Sequence, residues 1–364
     1  MTVLPAPDPI GIPAPAPLLV FLLVFTYALH SLFVGTVVGG TVLAGAQAIA
    51  VRRGNDALRP LGSHLARALP VAMAFSITTG VAPLLFVQLL FGQFFYTASV
   101  FVGWTWFSVV PVLMVGYYGL YHWALAGRGA RPAPGWGLAA ALAALAWTAF
   151  AMVTNMSLYA HPERFPEAFN LAGTALNTSE PTFPARLSHA LLNFVVIGSS
   201  YVLLVGHLLG EGVAGQSVRR LGLRWLLGSL AAQAAVSLWY YQALPESLRS
   251  GGVQTAGMVV AAASGVTMAA GWAAAARASA GRLWPAVATA ATVAMAAGLA
   301  VARHGVRMAS LGPFLQEQAW ALDAQWVPFG LFVALLLAGL ALVGYLLWRY
   351  PWRAGLDELR ARPG

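Results

Sequence analysis

The chain has 364 residues, of which 59% are hydrophobic and only 9% are charged. Soluble domains carry roughly 25% charged residues. This composition therefore excludes an ordinary soluble domain and predicts an all-α integral membrane protein. The absence of cysteine excludes disulfides, iron–sulfur clusters and covalently attached c-type haem. The net charge of +9 comes from arginine alone. Because these arginines lie in short loops between apolar segments, they indicate membrane topology and argue against nucleic-acid binding.

Nine apolar segments are long enough to cross a bilayer, which takes about 20 residues per helix. We expect them near residues 17–50, 68–91, 96–126, 136–160, 186–210, 223–243, 252–276, 284–302 and 326–349. The predicted organisation is a Pro-rich outer tail (1–16), a transmembrane helical domain (17–349) and a cytoplasmic tail (350–364). The proline-rich connection 161–185 is expected to form a small cap over the outer face.

The arginines also predict the orientation of the bundle. They concentrate after the first, third, fifth, seventh and ninth segments, and positively charged loops remain in the cytoplasm. The N-terminus is then outside and the C-terminus inside. We expect a multi-pass protein of a bacterial inner membrane.

Histidines in or beside the apolar segments are the main functional clue. A polar group at membrane depth is costly and usually marks a function, and neutral imidazole is a common metal and haem ligand. His30 lies inside the first segment, where we favour ligation over a hydrogen bond to a neighbouring helix. His64, His122 and His161 are interpreted as interfacial or loop residues.

The fifth segment carries His189 near its outer end and His207 eighteen residues later. Eighteen residues make five helical turns, so both side chains lie on one stripe about 27 Å apart. That spacing would suit two haems stacked across the membrane, although His207 alone is a weak signal.

Beyond the eighth segment, Arg303 and Arg307 flank His304. Arginine pairs well with carboxylates and phosphates, so the two could hold haem propionates or a quinone head group. The alternative is a basic surface patch, which would be misplaced on the outer side.

Met258, early in the seventh segment, is expected at about the depth of His189, and a His–Met pair is a recognised haem ligation. Met268 and Met308 are rival candidates, and methionine in such positions is usually core filling. None of the eleven acidic residues lies in the middle of a segment, which disfavours proton pumping.

Residues 29–94 join a histidine helix, an arginine-rich turn and a second helix with TTGVAPLLFVQLLFG. This order resembles the start of the large haem-bearing subunit of cytochrome bd-type quinol oxidases. The resemblance implies a nine-helix bundle, His30 at a high-spin haem, and His189 with Met258 at a low-spin haem b. Glu317 is a loose counterpart of a glutamate that helps to bind the second haem b. The implied cofactors are one or two haem b groups, with a third haem and a quinone left open.

The chain departs from that pattern in two places. The second-helix motif has no acid, and only PESLRSGG joins the sixth and seventh segments, where the family has a long quinol-binding loop. We therefore favour a membrane cytochrome b subunit that moves electrons between the quinone pool and c-type cytochromes within a larger complex. The alternatives are a bd-like oxidase subunit that reduces oxygen or another small molecule, and a cofactor-free transporter.

Overall fold

Nine long helices make up the described part of the protein, a computed structural model. It describes residues 6, 10–126, 135–249, 251–275, 277, 281–315 and 320–349. The helices are α1 (Ala16–Arg52), α2 (Arg59–Phe101), α3 (Val109–Ala126), α4 (Trp136–Tyr159), α5 (Phe183–Leu208), α6 (Val213–Ala243), α7 (Gly252–Ala275), α8 (Leu283–Leu311) and α9 (Trp326–Arg349). The described residues thus contain nine spans long and apolar enough to cross a bilayer, which confirms the predicted helical membrane bundle.

Some predicted boundaries are wrong, most clearly around α2. This helix runs from Arg59 to Phe101, whereas the sequence placed its span at 68–91 and began the third at 96. The backbone is non-helical at Phe91, where two helical stretches meet at a kink. The residues after the kink therefore complete α2, and a short helix, Gly103–Phe107, precedes α3. Helix α6 begins ten residues earlier than expected (213 against 223), and α8 ends nine later (311 against 302).

Consecutive helices pack as pairs, with α1 against α2, α5 against α6 and α7 against α8. Helix α1 also packs along α5, which joins the first pair to the second. A Cβ on Gly39 would lie 2.3 Å from the Phe194 carbonyl oxygen and 2.8 Å from the Gly198 Cα. The Gly35–Gly39 step therefore lets two helix backbones touch, as small residues commonly allow in lipid.

The connection between α4 and α5 folds into short helical turns, Pro162–Arg164, Phe165–Ala168 and Phe169–Leu171. It sits over the end of α2, where the Ala175 amide donates to the Phe101 carbonyl at 3.0 Å. Phe165 is buried against Phe101. We call the end of the bundle that carries this connection the cap end. Because successive helices alternate in direction, α5, α7 and α9 begin there and α2, α4, α6 and α8 end there.

A backbone clasp precedes α9 at the same end. The Ile12 amide donates to the Ala321 carbonyl at 2.8 Å, and the Asp323 amide donates to the Ile12 carbonyl at 3.0 Å. The Trp320 indole donates to the carbonyl oxygen of Leu90 at 2.9 Å, beside the kink in α2. Helix α9 itself keeps most of its apolar surface exposed.

Candidate functional site

Three helices bring five of the predicted residues into the cap-end half of the bundle. They are His30 of α1, His189 of α5, and Arg303, His304 and Arg307 of α8. His304 and Arg307 are each 8% exposed, and the other three are half-buried. We call these five residues the cap-end cluster. They are distant in sequence and meet because α1 packs against both α5 and α8.

The imidazole of His30 is fixed by helix α2. Its Nδ1 lies 2.9 Å from the Ser76 carbonyl oxygen. The ring also lies against Gly80, where a Cβ would sit 2.7 Å from His30 Cε1. Because a carbonyl can only accept, Nδ1 carries the proton and Nε2 keeps its lone pair. A hydrogen bond from one ring nitrogen to a backbone carbonyl commonly orients histidines that bind a metal through the other nitrogen.

His189 is held by helix α6. Its Nε2 lies 2.9 Å from the Gln233 amide nitrogen, and its ring centre lies 6.1 Å from that of Tyr240. One turn earlier on α5, the Arg186 guanidinium lies 5.8 Å from the same Tyr240 ring. Iron ligation through Nε2 would therefore require the Gln233 amide to turn away from the ring.

Arg303 of α8 lies beside the His30 site. Its guanidinium donates to the Tyr27 hydroxyl and lies 4.6 Å from that ring centre. Tyr27 precedes His30 by one turn, and the Arg303 charge acts on His30. It is also close enough to Tyr240 to interact with that phenol electrostatically. The charge of Arg303 thus lies beside the His30 site, against Tyr27.

Arg307, one turn further along α8, lies among aromatic rings. Its Nε donates to the Tyr159 hydroxyl, and its guanidinium lies 5.4 Å from the Phe91 ring centre. His304 packs against the same Phe91, and its Nδ1 lies 3.5 Å from Arg307. Within the described ranges, neither Arg303 nor Arg307 forms an ion pair with a carboxylate. A buried cation without an anionic partner is costly, so the cluster is suited to bind an anion.

Met258 lies half-buried in the second turn of α7, the helix that packs along α8. One turn earlier, Gln254 is 2% exposed and neither of its amide atoms has a hydrogen-bond partner. Of the rival methionines, Met268 is fully buried, and its sulfur accepts hydrogen bonds from Ser200 and Thr292. Met268 is therefore explained by core packing. Met308 packs at the edge of the apolar core at the cap end.

The remaining predicted residues lie elsewhere. His207 is in the last turn of α5, at the opposite end of the bundle from the cap-end cluster. Glu317 lies outside the described residues. His64 does not precede α2 as expected but lies inside it, 2% exposed, with Nε2 2.8 Å from the Tyr201 hydroxyl. The loop interpretation of His64 is thus wrong, because α2 begins further upstream than the hydropathy indicated.

The donors present fit haem better than a bare metal ion. No group of three or more His, Cys, Asp or Glu side chains in the described part of the chain could hold a metal ion. Haem iron needs only one or two protein ligands, because the porphyrin supplies the other four. Near His189, two buried polar groups lack hydrogen-bond partners, namely the Arg186 Nε and the Gln233 side-chain oxygen. Such unsatisfied atoms are rare in native proteins and are expected where a polar ligand binds.

Several residues of this region escaped the sequence analysis. Tyr27 and Arg186 each precede a candidate histidine by three residues, a spacing that places both side chains on one helix face and could have indicated them. Tyr159, Tyr240 and Gln233 reach the site from other helices. Nothing in their local sequence distinguishes them from ordinary interfacial aromatic or polar residues.

Comparison with known proteins places this fold. No family model matches the chain, and no curated protein matches it at a significant level. Among solved structures, it is similar to a chain in the structure of bd oxidase from Geobacillus thermodenitrificans, with a TM-score of 0.73 and 15% sequence identity. The match covers 97% of this chain and 100% of that one. The molecule is therefore a multi-pass helical membrane protein with a bd-oxidase fold, as the resemblance in residues 29–94 indicated. At 15% identity the similarity establishes the architecture, and function has to be argued from the site.

Proposed function

We propose that this protein is a membrane cytochrome b subunit that transfers electrons between the quinone pool and c-type cytochromes in a respiratory complex. The observation that carries the proposal is the cap-end cluster. Three imidazoles and two arginines from three helices lie in the cap-end half of an apolar bundle where, among the described residues, no carboxylate neutralises the arginines. An iron porphyrin with two propionates would supply both the metal and the missing anions.

His189 and Met258 would hold a low-spin haem b, and His30 would hold a second haem. Haem supplies a one-electron redox centre when bound, and the protein tunes it through ligands, hydrogen bonds and burial. Arg303 and Arg307 would bind the propionates, since guanidinium binds carboxylate with charge-assisted hydrogen bonds. The phenols of Tyr27 and Tyr159 hold the two guanidinium groups in place for that contact. The surrounding helices exclude water and shield the redox centre.

The position of the cluster at the cap end also bears on the electron-transfer partners. We infer that the cap end faces outward, because the arginine-rich connections lie at the other end. A cofactor held there could exchange electrons with a c-type cytochrome outside the membrane. The chain has no cysteine to attach haem c itself, so that cytochrome would be a separate subunit. Quinone would supply or accept electrons from within the bilayer, and the complex would lie in a bacterial inner membrane.

A bd-like oxidase subunit is the second candidate, and His30 is the observation that favours it. Its Nδ1 is fixed by Ser76, which leaves Nε2 as the atom that would hold haem iron. A haem held by one protein residue would supply a binding site for oxygen or another small molecule. Oxygen uptake with reduced quinol that disappears in His30→Ala would support this alternative over simple electron transfer.

A spectroscopic experiment tests the main proposal. A pyridine haemochrome assay on the purified protein should show haem b, and dithionite reduction should produce an α-band. His189→Ala should remove the low-spin signal. His122→Ala is the matched control, because His122 stacks on Trp136 at the opposite end of the bundle. Protein without Soret absorbance would refute the proposal, and an unchanged His189→Ala spectrum would refute the ligand assignment.

A further inference from the structure

A series of polar contacts leads from α5 to the surface of the cap. Arg186 donates to the Thr182 hydroxyl at 3.2 Å, and that hydroxyl donates to Glu180 Oε2 at 2.6 Å. On the other side of the carboxylate, His161 Nε2 lies 3.9 Å from Glu180 Oε1. His161 Nδ1 then lies 2.8 Å from Glu163 Oε1. We call these five residues the cap relay.

Exposure rises along the cap relay toward water. Glu180 is 4% exposed, whereas the side chains of His161 and Glu163 are 15% and 50% exposed. The groups that face Glu180 are Ser157 of α4, His161 of the cap, and Thr182, whose backbone amide donates to the carboxylate at 2.9 Å. Arg186 reaches Glu180 through the Thr182 hydroxyl. Among the described residues, no guanidinium forms an ion pair with this buried carboxylate, which is held by hydroxyl, amide and imidazole groups.

The inner end of the cap relay lies beside the proposed haem ligand. Arg186 precedes His189 by three residues, so both side chains lie on one face of α5. Both also pack on the ring of Tyr240. The Arg186 Nε is buried and has no hydrogen-bond partner. One edge of this guanidinium therefore contacts Thr182, and the Nε remains available for a carboxylate of a bound cofactor.

We propose that Glu180 takes up one proton from water, through Glu163 and His161, when the cofactor at His189 accepts one electron. The electron comes from a quinol-class donor and the proton from the solvent at the cap, so the net charge of the site is unchanged. When the cofactor is oxidised, Glu180 releases this proton to the solvent through His161 and Glu163. Arg186 acts as a positioning residue that links the cofactor to Glu180. This inference rests on the proposed haem at His189.

The test is an optical redox titration of the purified full chain from about pH 3.5 to about pH 8, a range that includes the ordinary titration of carboxyl and imidazole groups. The midpoint potential of the wild-type low-spin band should fall as pH rises. At full coupling the reduction equilibrium constant changes tenfold per pH unit, which is ~59 mV for a one-electron couple. Glu180→Gln keeps the shape of the side chain but cannot release a proton, so the slope should fall several-fold. Thr182→Val removes the hydroxyl that bridges Arg186 and Glu180, so the pH slope of the midpoint potential should fall less than in Glu180→Gln.

Glu167→Gln is the matched control, because Glu167 is a cap carboxylate that is 75% exposed and lies 3.7 Å from Arg164. It should keep the wild-type slope. A flat wild-type titration, or a wild-type slope in Glu180→Gln, overturns the relay while leaving the haem proposal intact. If the Glu180→Gln protein fails to accumulate, a wild-type slope in Thr182→Val overturns the relay instead. A wild-type chain without haem refutes the proposed function and the relay with it.

Discussion

Replacement of Gly80 by alanine tests how the structure fixes His30. The added methyl group would lie 2.7 Å from Cε1, 3.0 Å from Nδ1 and 3.4 Å from Nε2 of His30. The distances to Cε1 and Nδ1 are shorter than ordinary van der Waals contact, so the ring must move, and its 2.9 Å hydrogen bond to the Ser76 carbonyl must lengthen or break. Ser76 and Gly80 lie one turn apart on α2, so the helix cannot relieve the contact without distorting its backbone.

The magnitude follows from three effects. Loss of the hydrogen bond costs about 0.5–1.5 kcal/mol. Overpacking typically costs about 1–3 kcal/mol. The better helix propensity of alanine offsets up to about 1 kcal/mol. We expect Gly80→Ala to lower the free energy of unfolding by on the order of 1–3 kcal/mol, a decrease set mainly by the overpacking.

Thermal unfolding in detergent and the haem spectrum together provide the assay. Gly80→Ala should unfold at lower temperature and should perturb the high-spin signal assigned to His30, with the His189 signal retained. Gly45→Ala is the control, because a methyl group on that α1 glycine would meet no atom within 4 Å. If Gly80→Ala is as stable as Gly45→Ala and its spectrum is unchanged, the assigned position of the His30 ring is wrong.

Three further substitutions test other contacts. Gly39→Leu should prevent α1 and α5 from approaching and abolish the folded, monodisperse peak in size-exclusion chromatography, because even a Cβ would lie 2.3 Å from a backbone oxygen. Tyr159→Phe removes the phenol that holds Arg307 and should cost about 1.5–3 kcal/mol in the free energy of unfolding, as expected for a hydrogen bond to a charged group. A thermal midpoint equal to the wild type would contradict it. Trp320→Phe leaves the Leu90 carbonyl without its indole donor and should cost about 0.5–1.5 kcal/mol by the same measurement.

Hydropathy was sufficient to predict the bundle, because a bilayer allows only long apolar helices or closed barrels to cross it. It could not locate the helix ends where polar residues extend a helix beyond the apolar run. His304 illustrates this limit, since it was expected after the eighth segment but lies inside α8. His64 illustrates it at the start of α2.

The candidate ligands were visible in the sequence, but their surroundings were not. A histidine in an apolar run is conspicuous by itself, whereas its partners depend on which helices pack together. Gln233 contacts His189 from α6, and Tyr27 contacts Arg303 across the α1–α8 interface. Such contacts, like the approach of α1 to α5 at Gly39 and Gly198, are tertiary features that periodicity within one helix cannot specify.

The clasp between Ile12 and Ala321–Asp323 has a consequence for biosynthesis. One side of the clasp precedes α1 and the other precedes α9, so it cannot form until eight spans have been made and the segment leading into the ninth has emerged. Until then the Trp320 indole cannot donate to the Leu90 carbonyl or pack on Phe91 at the kink in α2. Closure of the bundle is therefore a late event, and a ribosome stalled within α8 would leave a chain whose first helices are inserted but whose cap end is still open.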